Sequence, residues 1–401
     1  MPHPHGRRFR MLILGGGVYQ VPLIHRAHEF DLETVVVTPA GPYPGIQLAD
    51  HHWNLDTTDE EAVLHAARSH GIDAVATTGT DVCLPVLGRI VDELGLHGPS
   101  GSSARMSADK TLMKRAFQKH SVPTAEFEIV GSLTDARNAS RRIGFPLIVK
   151  ASDSSGSRGV TRVDAGDGLD AAWSRAWAVS RNGLIVVERC LEGVEFGAQA
   201  FVTGDEVVAV FAHNDTVTAP PFQTPVGHSL PANLTSSQLA NLHEVVCRAV
   251  RALAIRDAVC NVDLMLADGE IQVLEIGARM GATCLPENVS VFTGLDVYGH
   301  LLQLALGQVP AVRATQEQPN ASLLLRSNTS GIVQDVFVPE AVSAHPALIA
   351  LQIDAKQGDR VKAFQVGPDR IGHVVVKGDS AARAEALVQE LAGAIRVTVT
   401  E

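Results

Sequence analysis

Paired cysteines are missing from this sequence. Its five cysteines, Cys83, Cys190, Cys247, Cys260 and Cys284, are odd in number, scattered and without a CxxC. That pattern argues against a disulfide framework or a zinc knuckle and makes a reducing, cytoplasmic setting the expectation. Basic runs are missing too. No run of Lys and Arg exceeds the length of a pair such as Arg7-Arg8 and the formal net charge is −11, which argues against a nucleic-acid backbone as partner. No apolar run approaches the ~18 residues that cross a membrane, and the polar start MPHPHGRRFR has no secretory core behind it. A soluble protein with neither membrane nor nucleic-acid partners is therefore expected. Gly15-Gly16-Gly17 follows an apolar strand signal, but Gln20 stands where the third glycine of a dinucleotide fingerprint belongs. The Walker pattern is absent as well.

A length of 401 residues, at about 150 per domain, gives two to three domains, and 45% hydrophobic residues suffice for their cores. Residues 1–101 alternate strand signals (10–14, 34–38, 72–77) with helical ones and read as a parallel α/β domain. Its strand ends, residues 15–17 and 78–81, are where such a sheet holds a small ligand. Ser102-Ser103 can cap one long helix through Lys119. Lys110 and Lys114 share a face of it, a solvated face being the alternative. FPLIVK ends a strand on Lys150, and SDSSGSRG follows, with Ser154, Ser155, Gly156 and Ser157 at its centre. Small residues there let backbone N–H groups wrap phosphate oxygens, and strand 160–163 resumes at once, which favours a phosphate-covering hairpin over a linker. Strands 184–188, 196–202 and 207–212 lead into an irregular stretch, 213–231, with four prolines, His213 and His228. A loop of that length is usually functional, so both histidines are substrate candidates, with solvated rings the alternative. A helix over 236–253 precedes the next strands. From about residue 321 the signals SLLLRS, GIVQDVFV and HVVVKG and a helix over 381–395 form a C-terminal α+β portion.

Residues 261–281, NVDLMLADGEIQVLEIGARMG, read as a hairpin turning at Ala267-Asp268-Gly269. It carries Asp263 on one arm and Glu275 on the other. Two carboxylates converging among apolar neighbours repel unless a cation lies between them, and hard oxygen ligands suit Mg²⁺. Arg279 adds a fixed positive charge suited to a phosphate or carboxylate. A surface hairpin with acidic edges is the alternative.

Taken in order, ADKTLMKRAF, FPLIVK, SDSSGSRGV, VVERCLEGVEFG and NVDLML…VLEIGARMG resemble the ATP-grasp superfamily, in particular its carboxylate–amine ligases. The resemblance implies an ATP-grasp fold, α/β and α+β, divided as residues 1–101, 102–310 with a lid subdomain at about 122–187, and 311–401. It makes Lys110 and Lys150 the ATP-phosphate lysines, with Lys150 and Arg279 catalytic, and Ser154 to Ser157 a mobile loop over the phosphates. Glu188, with Arg189, Cys190 and Leu191, becomes the hinge that reads adenine, and Glu195 the acid that holds ribose. Asp263 and Glu275 become the ligands of Mg²⁺, with Mn²⁺ as an alternative, and Arg279 the arginine beside the substrate. The family often has Asn two residues after the second acid, where this chain has Gly277. The implied function is ATP-dependent joining of a small carboxylate, an amino acid, to an amine through an acyl-phosphate, in a homodimer. The alternatives are an enzyme of the carboxyphosphate or formyl-phosphate type and a non-catalytic ATP-binding protein.

Overall fold

A computed structural model describes residues 7–154, 156, 158–219 and 224–400. The chain divides into two compact units. The first comprises Met1–Val210, Thr235–Met280 and Tyr298–Pro310, and the second Phe211–Leu234, Gly281–Val297 and Ala311–Glu401. Among the described residues no helix is long and apolar enough to cross a membrane.

The first unit contains a parallel sheet in the order His51–Trp53, Glu33–Val37, Arg10–Leu14, Ala74–Ala76. The runs MLIL and TVVV are buried on both faces, as expected where helices cover a parallel sheet. Gln20 explains the broken glycine fingerprint. Its side-chain oxygen accepts from Gly17 N–H at 2.9 Å and its amide donates to the carbonyl of Thr78, tying the glycine turn to the neighbouring strand end. Gly15 has φ +99°, and an added Cβ would meet the Gln20 side chain at 3.0 Å, so that position demands glycine.

An antiparallel sheet, Phe127–Val130, Ile185–Arg189, Leu147–Ala151, Thr161–Val163, packs a core of its own on the helices Leu133–Ile143 and Leu169–Val179. A third group of strands runs Glu270–Gly277, Ala258–Ala267, Val194–Thr203, all antiparallel. It holds the expected hairpin, turning at Asp268 and Gly269 with positive φ at both.

Two local expectations are corrected. The long helix is two helices, Gly101–Ala108 and Lys110–Lys119. Ser100, not Ser102 or Ser103, caps the first, and Asp109 interrupts the run in an extended conformation. Its carboxylate accepts from the N–H groups of Thr111 (2.7 Å) and Leu112 (3.2 Å), competing with continuation of the helix.

The irregular stretch 213–231 is also corrected, and lies in the second unit. Asn214–Val217, the end of the strand Glu206–Val217, pairs antiparallel with Pro225–Leu230. Pro225 sits at the first position of its strand, where a missing N–H is tolerated. Pro220 and Pro221 lie outside the described residues. Outward from Pro225–Leu230 the ladder continues through Asn320–Leu325, Gly372–Lys377 and Leu348–Ile353. The helix Ala381–Ala394 covers it, and a small sheet of Arg360–Val361, Gly331–Phe337 and Arg396–Thr400 shares its core.

The Asp109 break is testable. Asp109→Ala removes an N-cap, so urea unfolding is expected to show a loss of about 1 kcal/mol. An unchanged midpoint would show that the two helices do not need it.

Candidate functional site

The hairpin places Asp263 and Glu275 directly opposite each other, so their side chains share one face of the strands. Glycines flank them, with Gly197 of the strand Val194–Thr203 opposite Asp263 and Gly277 opposite Asn261. A polar chain orients the first acid. Gln199 donates to the Asn261 side-chain oxygen at 2.7 Å, and the Asn261 amide donates to Asp263 at 2.8 Å. On Glu275 sits Lys110, whose Nζ lies 3.0 Å from Oε1 and also donates to the Ser154 carbonyl at 2.7 Å. Burial opposes the Lys110 charge, but Glu275 outweighs it and the ammonium is held above its ordinary pKa, with smaller help from Asp81 and Asp263.

Arg279 lies just past the hairpin and is paired bidentately with Asp81, Nε to Oδ1 at 2.7 Å and Nη2 to Oδ2 at 2.8 Å. A third bond runs from Nη1 to the Met280 carbonyl. Of the five N–H groups of a guanidinium these occupy three, leaving one on Nη1 and one on Nη2 without a partner among the described residues. Three carboxylates (Asp81, Asp263, Glu275) thus face two cations (Lys110, Arg279), a net charge of −1 by those five side chains. Gly277 has a spatial cause as well. A Cβ there would stand 2.8 Å from Asp81 Oδ1, so any side chain at 277 presses on the Asp81–Arg279 pair.

One turn along the helix from Lys110, Lys114 is 1% exposed, which corrects the solvated-face alternative. Its Nζ lies 2.7 Å from Glu188 Oε2 and 2.6 Å from Thr124 Oγ1. Lys150 bonds the other oxygen of Glu188. Burial alone would raise the Glu188 carboxyl, but the two ammonium groups hold it down at about 2. Glu188 is therefore a buried counter-ion of both lysines. Beyond it, the N–H groups of Arg189 and Cys190 are bonded to the carbonyls of Glu126 and Pro146, both at 2.9 Å. Glu195 stands at the exposed start of its strand, opposite Met265.

Of the glycine–serine loop, Ser154 touches Lys110 through its carbonyl and Gly156 has φ +66°; Ser155 and Ser157 lie outside the described residues. Asp153 anchors the near end of the loop by accepting from the N–H groups of Arg181 and Asn182 at 3.0 and 2.9 Å. In the second unit, His213 and His228 lie on paired strands rather than in a loop, and the Nδ1 atoms of both are engaged by Asp215 at 2.9 and 2.6 Å.

Two family models match segments of this chain. Residues 143–287 match the model of the ATP-grasp domain, and residues 323–400 match that of the L-amino acid ligase C-terminal domain 2. Residues 143–287 are an ATP-grasp domain, and the fold of the chain is the ATP-grasp fold. The structure of a phosphoribosylglycinamide synthetase from Anaerococcus prevotii is similar over 98% of this chain and all of that one, with TM-score 0.83 and 26% identity. An L-amino acid ligase from Bacillus licheniformis superposes with the same coverage and TM-score at 20% identity, a likeness of fold. In sequence, a formate-dependent phosphoribosylglycinamide formyltransferase of Rhodococcus jostii is 26% identical over 292 residues, 67% of this chain and 68% of that protein.

Within this ATP-grasp chain the structure brings Lys110, Asp263, Glu275 and Arg279 to one cluster and Lys150 and Glu188 to another. Sequence reading gave no role in the site to Asn261 and Gln199, placed Asp81 only within the ligand-holding strand end 78–81, and left Lys114 between the face of Lys110 and a solvated one. For Lys114 a signal existed, its four-residue spacing from Lys110. Asp81 and Gln199 come to the site only through tertiary pairing.

The buried triad has a pH consequence. A carboxyl held at about 2 and returning to an ordinary value near 4.5 on unfolding stabilises the fold above pH ~4.5, and that stability is lost as pH falls towards 2. Glu188→Gln is expected to flatten this acid limb and, by leaving two buried lysines unpaired, to cost about 3 kcal/mol at neutral pH. Acid-unfolding curves that superpose with those of the parent would contradict the assignment.

Proposed function

We propose that this chain is an ATP-dependent ligase that activates the carboxylate of an amino acid as an acyl-phosphate and joins it to an amine. The observation carrying the reading is Arg279. It is fixed by Asp81 yet retains one N–H on each terminal nitrogen, a fork matched to a carboxylate, beside the acids Asp263 and Glu275. A pure ATP-binding protein has no use for that fork. The match of residues 323–400 to a domain of L-amino acid ligases supports amino acids as the acid substrate.

Asp263 and Glu275 offer hard oxygens on one face of a cluster of net negative charge, and such a donor set fits Mg²⁺, with Mn²⁺ as an alternative. Bound there, the ion would supply charge compensation and alignment for the β- and γ-phosphates. Gln199 and Asn261 hold Asp263 in place for it. Lys110 exchanges Glu275 for a phosphate oxygen, and Lys150, with Lys114, keeps positive potential near the phosphates. Because the N–H groups of Arg189 and Cys190 are already spent, Leu191 is the hinge amide left to read adenine, with Glu195 at the ribose.

A carboxylate is a poor electrophile because its leaving group would be oxide. In the proposed reaction its oxygen attacks the γ-phosphorus and the bond to ADP breaks, giving an acyl-phosphate. The amine nitrogen then attacks the carbonyl carbon, the carbon–oxygen bond to phosphate breaks, and the nitrogen loses a proton. Arg279 is placed to pair with the carboxylate first and with the tetrahedral oxyanion afterwards. The glycine–serine loop excludes water that would hydrolyse the acyl-phosphate.

The direct test is phosphate release over pairs of amino acids, with mass spectrometry of the products. An amide product with one phosphate per bond is expected; release that depends on bicarbonate or formate alone would move the chain to the carboxyphosphate or formyl-phosphate type. Glu275→Gln is expected to lose most activity while remaining folded, and full turnover in saturating Mg²⁺ would contradict it. Arg279→Met should lower turnover about a hundredfold, on the order of 3 kcal/mol, as for a lost oxyanion donor, while ATP binding without substrate stays within a few-fold. Its folded state is checked by circular dichroism, since Asp81 loses its partner.

A further inference from the structure

The second unit contains a set of side chains that the ligase reading does not use. His213 and Asp215 are two residues apart on one strand, and His228 is the direct antiparallel partner of Asp215. Alternation of side chains puts all three on one face. A potential ligand atom from each lies within 4.8 Å of the others. The histidines are 1% and 4% exposed, and their rings meet edge to face with centroids 5.1 Å apart.

The protonation states suit a cation. Burial alone would raise the Asp215 carboxyl, yet the two imidazoles hold it well below its ordinary range, while burial keeps His228 below its own. At neutral pH the set presents a carboxylate and a neutral imidazole, the forms that bind metals. Neither Nε2 atom has a hydrogen-bond partner among the described residues. Metal binding through Nδ1 would move each ring proton to Nε2, where no protein acceptor stands among the described residues, so a bound water would have to accept it.

An independent observation lies one strand further. Ser322 is directly opposite His228, 3% exposed, and its hydroxyl has no partner among the described residues. The row Asp215, His228, Ser322 therefore ends in a buried polar atom suited to a metal-bound water. Asn288 steadies the row by donating to the His228 carbonyl at 2.9 Å.

We propose that His213, Asp215 and His228 bind a divalent transition-metal ion of the Zn²⁺ class, with water in the remaining position. Two imidazoles and one carboxylate are a donor set for such ions and not one that Mg²⁺ favours. Ligand atoms around tetrahedral zinc stand about 3.3 Å apart, so the observed separations of 2.9 and 2.6 Å need to open by roughly half an ångström. Binding would move the two protons shared with Asp215 from Nδ1 to Nε2 and put one cation in their place against the buried carboxylate.

The test uses the full chain, stripped with a chelator and titrated with Zn²⁺ against a chromophoric competitor, then with Co²⁺ as an optical probe. One equivalent of Zn²⁺ is expected, held at least a hundredfold tighter than Mg²⁺ and undisturbed by millimolar Mg²⁺, with visible Co²⁺ bands of low-coordinate geometry. Asp215→Asn and His228→Gln should each weaken binding roughly tenfold or more and abolish the Zn²⁺-induced rise in melting temperature. Glu275→Gln should leave Zn²⁺ binding unchanged, so that failure here is separable from failure of the magnesium assignment. If the buried variants do not fold, the stoichiometry and Co²⁺ spectrum of the parent decide. No stoichiometric Zn²⁺ in the parent, or the same affinity in a folded Asp215→Asn, overturns the proposal and leaves a hydrogen-bonded relay.

Discussion

Three carboxylates and two cations must share the small volume beside the hairpin, and much of the first unit follows from that balance. Asp263 and Glu275 are forced together by strand register. Their repulsion is tolerated because Lys110 sits on one and the Asp81–Arg279 pair adjoins both. Small residues keep the space open. Gly197 leaves room opposite Asp263, and Gly277 avoids a 2.8 Å contact between a Cβ and Asp81. The glycine that looks in sequence like a lost metal ligand is thus the complement of an ion pair supplied by another strand end.

The helix Lys110–Lys119 distributes charge between two sheets. Its first residue serves Glu275 on the hairpin, and Lys114, one turn on, serves Glu188 on the strand Ile185–Arg189. Asp109, by breaking the preceding helix, sets where that spacing begins. Buried ion pairs add little net stability, because desolvation offsets the attraction, but breaking one leaves an uncompensated charge. The network is therefore best understood as fixing geometry. Lysines already desolvated and held against carboxylates can exchange those partners for phosphate oxygens with little rearrangement.

What could be read from the sequence was local. Strand runs such as MLIL and the hairpin turn at Asp268-Gly269 carry their own signals, and the order of five motifs identified the ATP-grasp superfamily. Pairings across long separations were not legible. Asp81 meets Arg279 across 198 residues, and Lys150 reaches Glu188 only because their strands are neighbours. The stretch 213–231 misled because its prolines suggest a loop. Pro225 occurs at a strand start, and Thr216, Val217 and Val226 suit strands. His228 consequently faces Asp215 across a ladder, and His213 meets it along the same strand, rather than either facing solvent.

The central claim, that a carboxylate is phosphorylated before the amine reacts, is tested most directly by positional isotope exchange in ATP labelled with ¹⁸O at the β,γ-bridge. The chain is incubated with Mg²⁺ and one amino acid whose amine partner is withheld. Reversible acyl-phosphate formation frees the β-phosphate to rotate, so label is expected to scramble into non-bridging positions only when the carboxylate is present. Amide product formed at a normal rate with no exchange from any carboxylate, under conditions where ADP remains bound, would contradict the account.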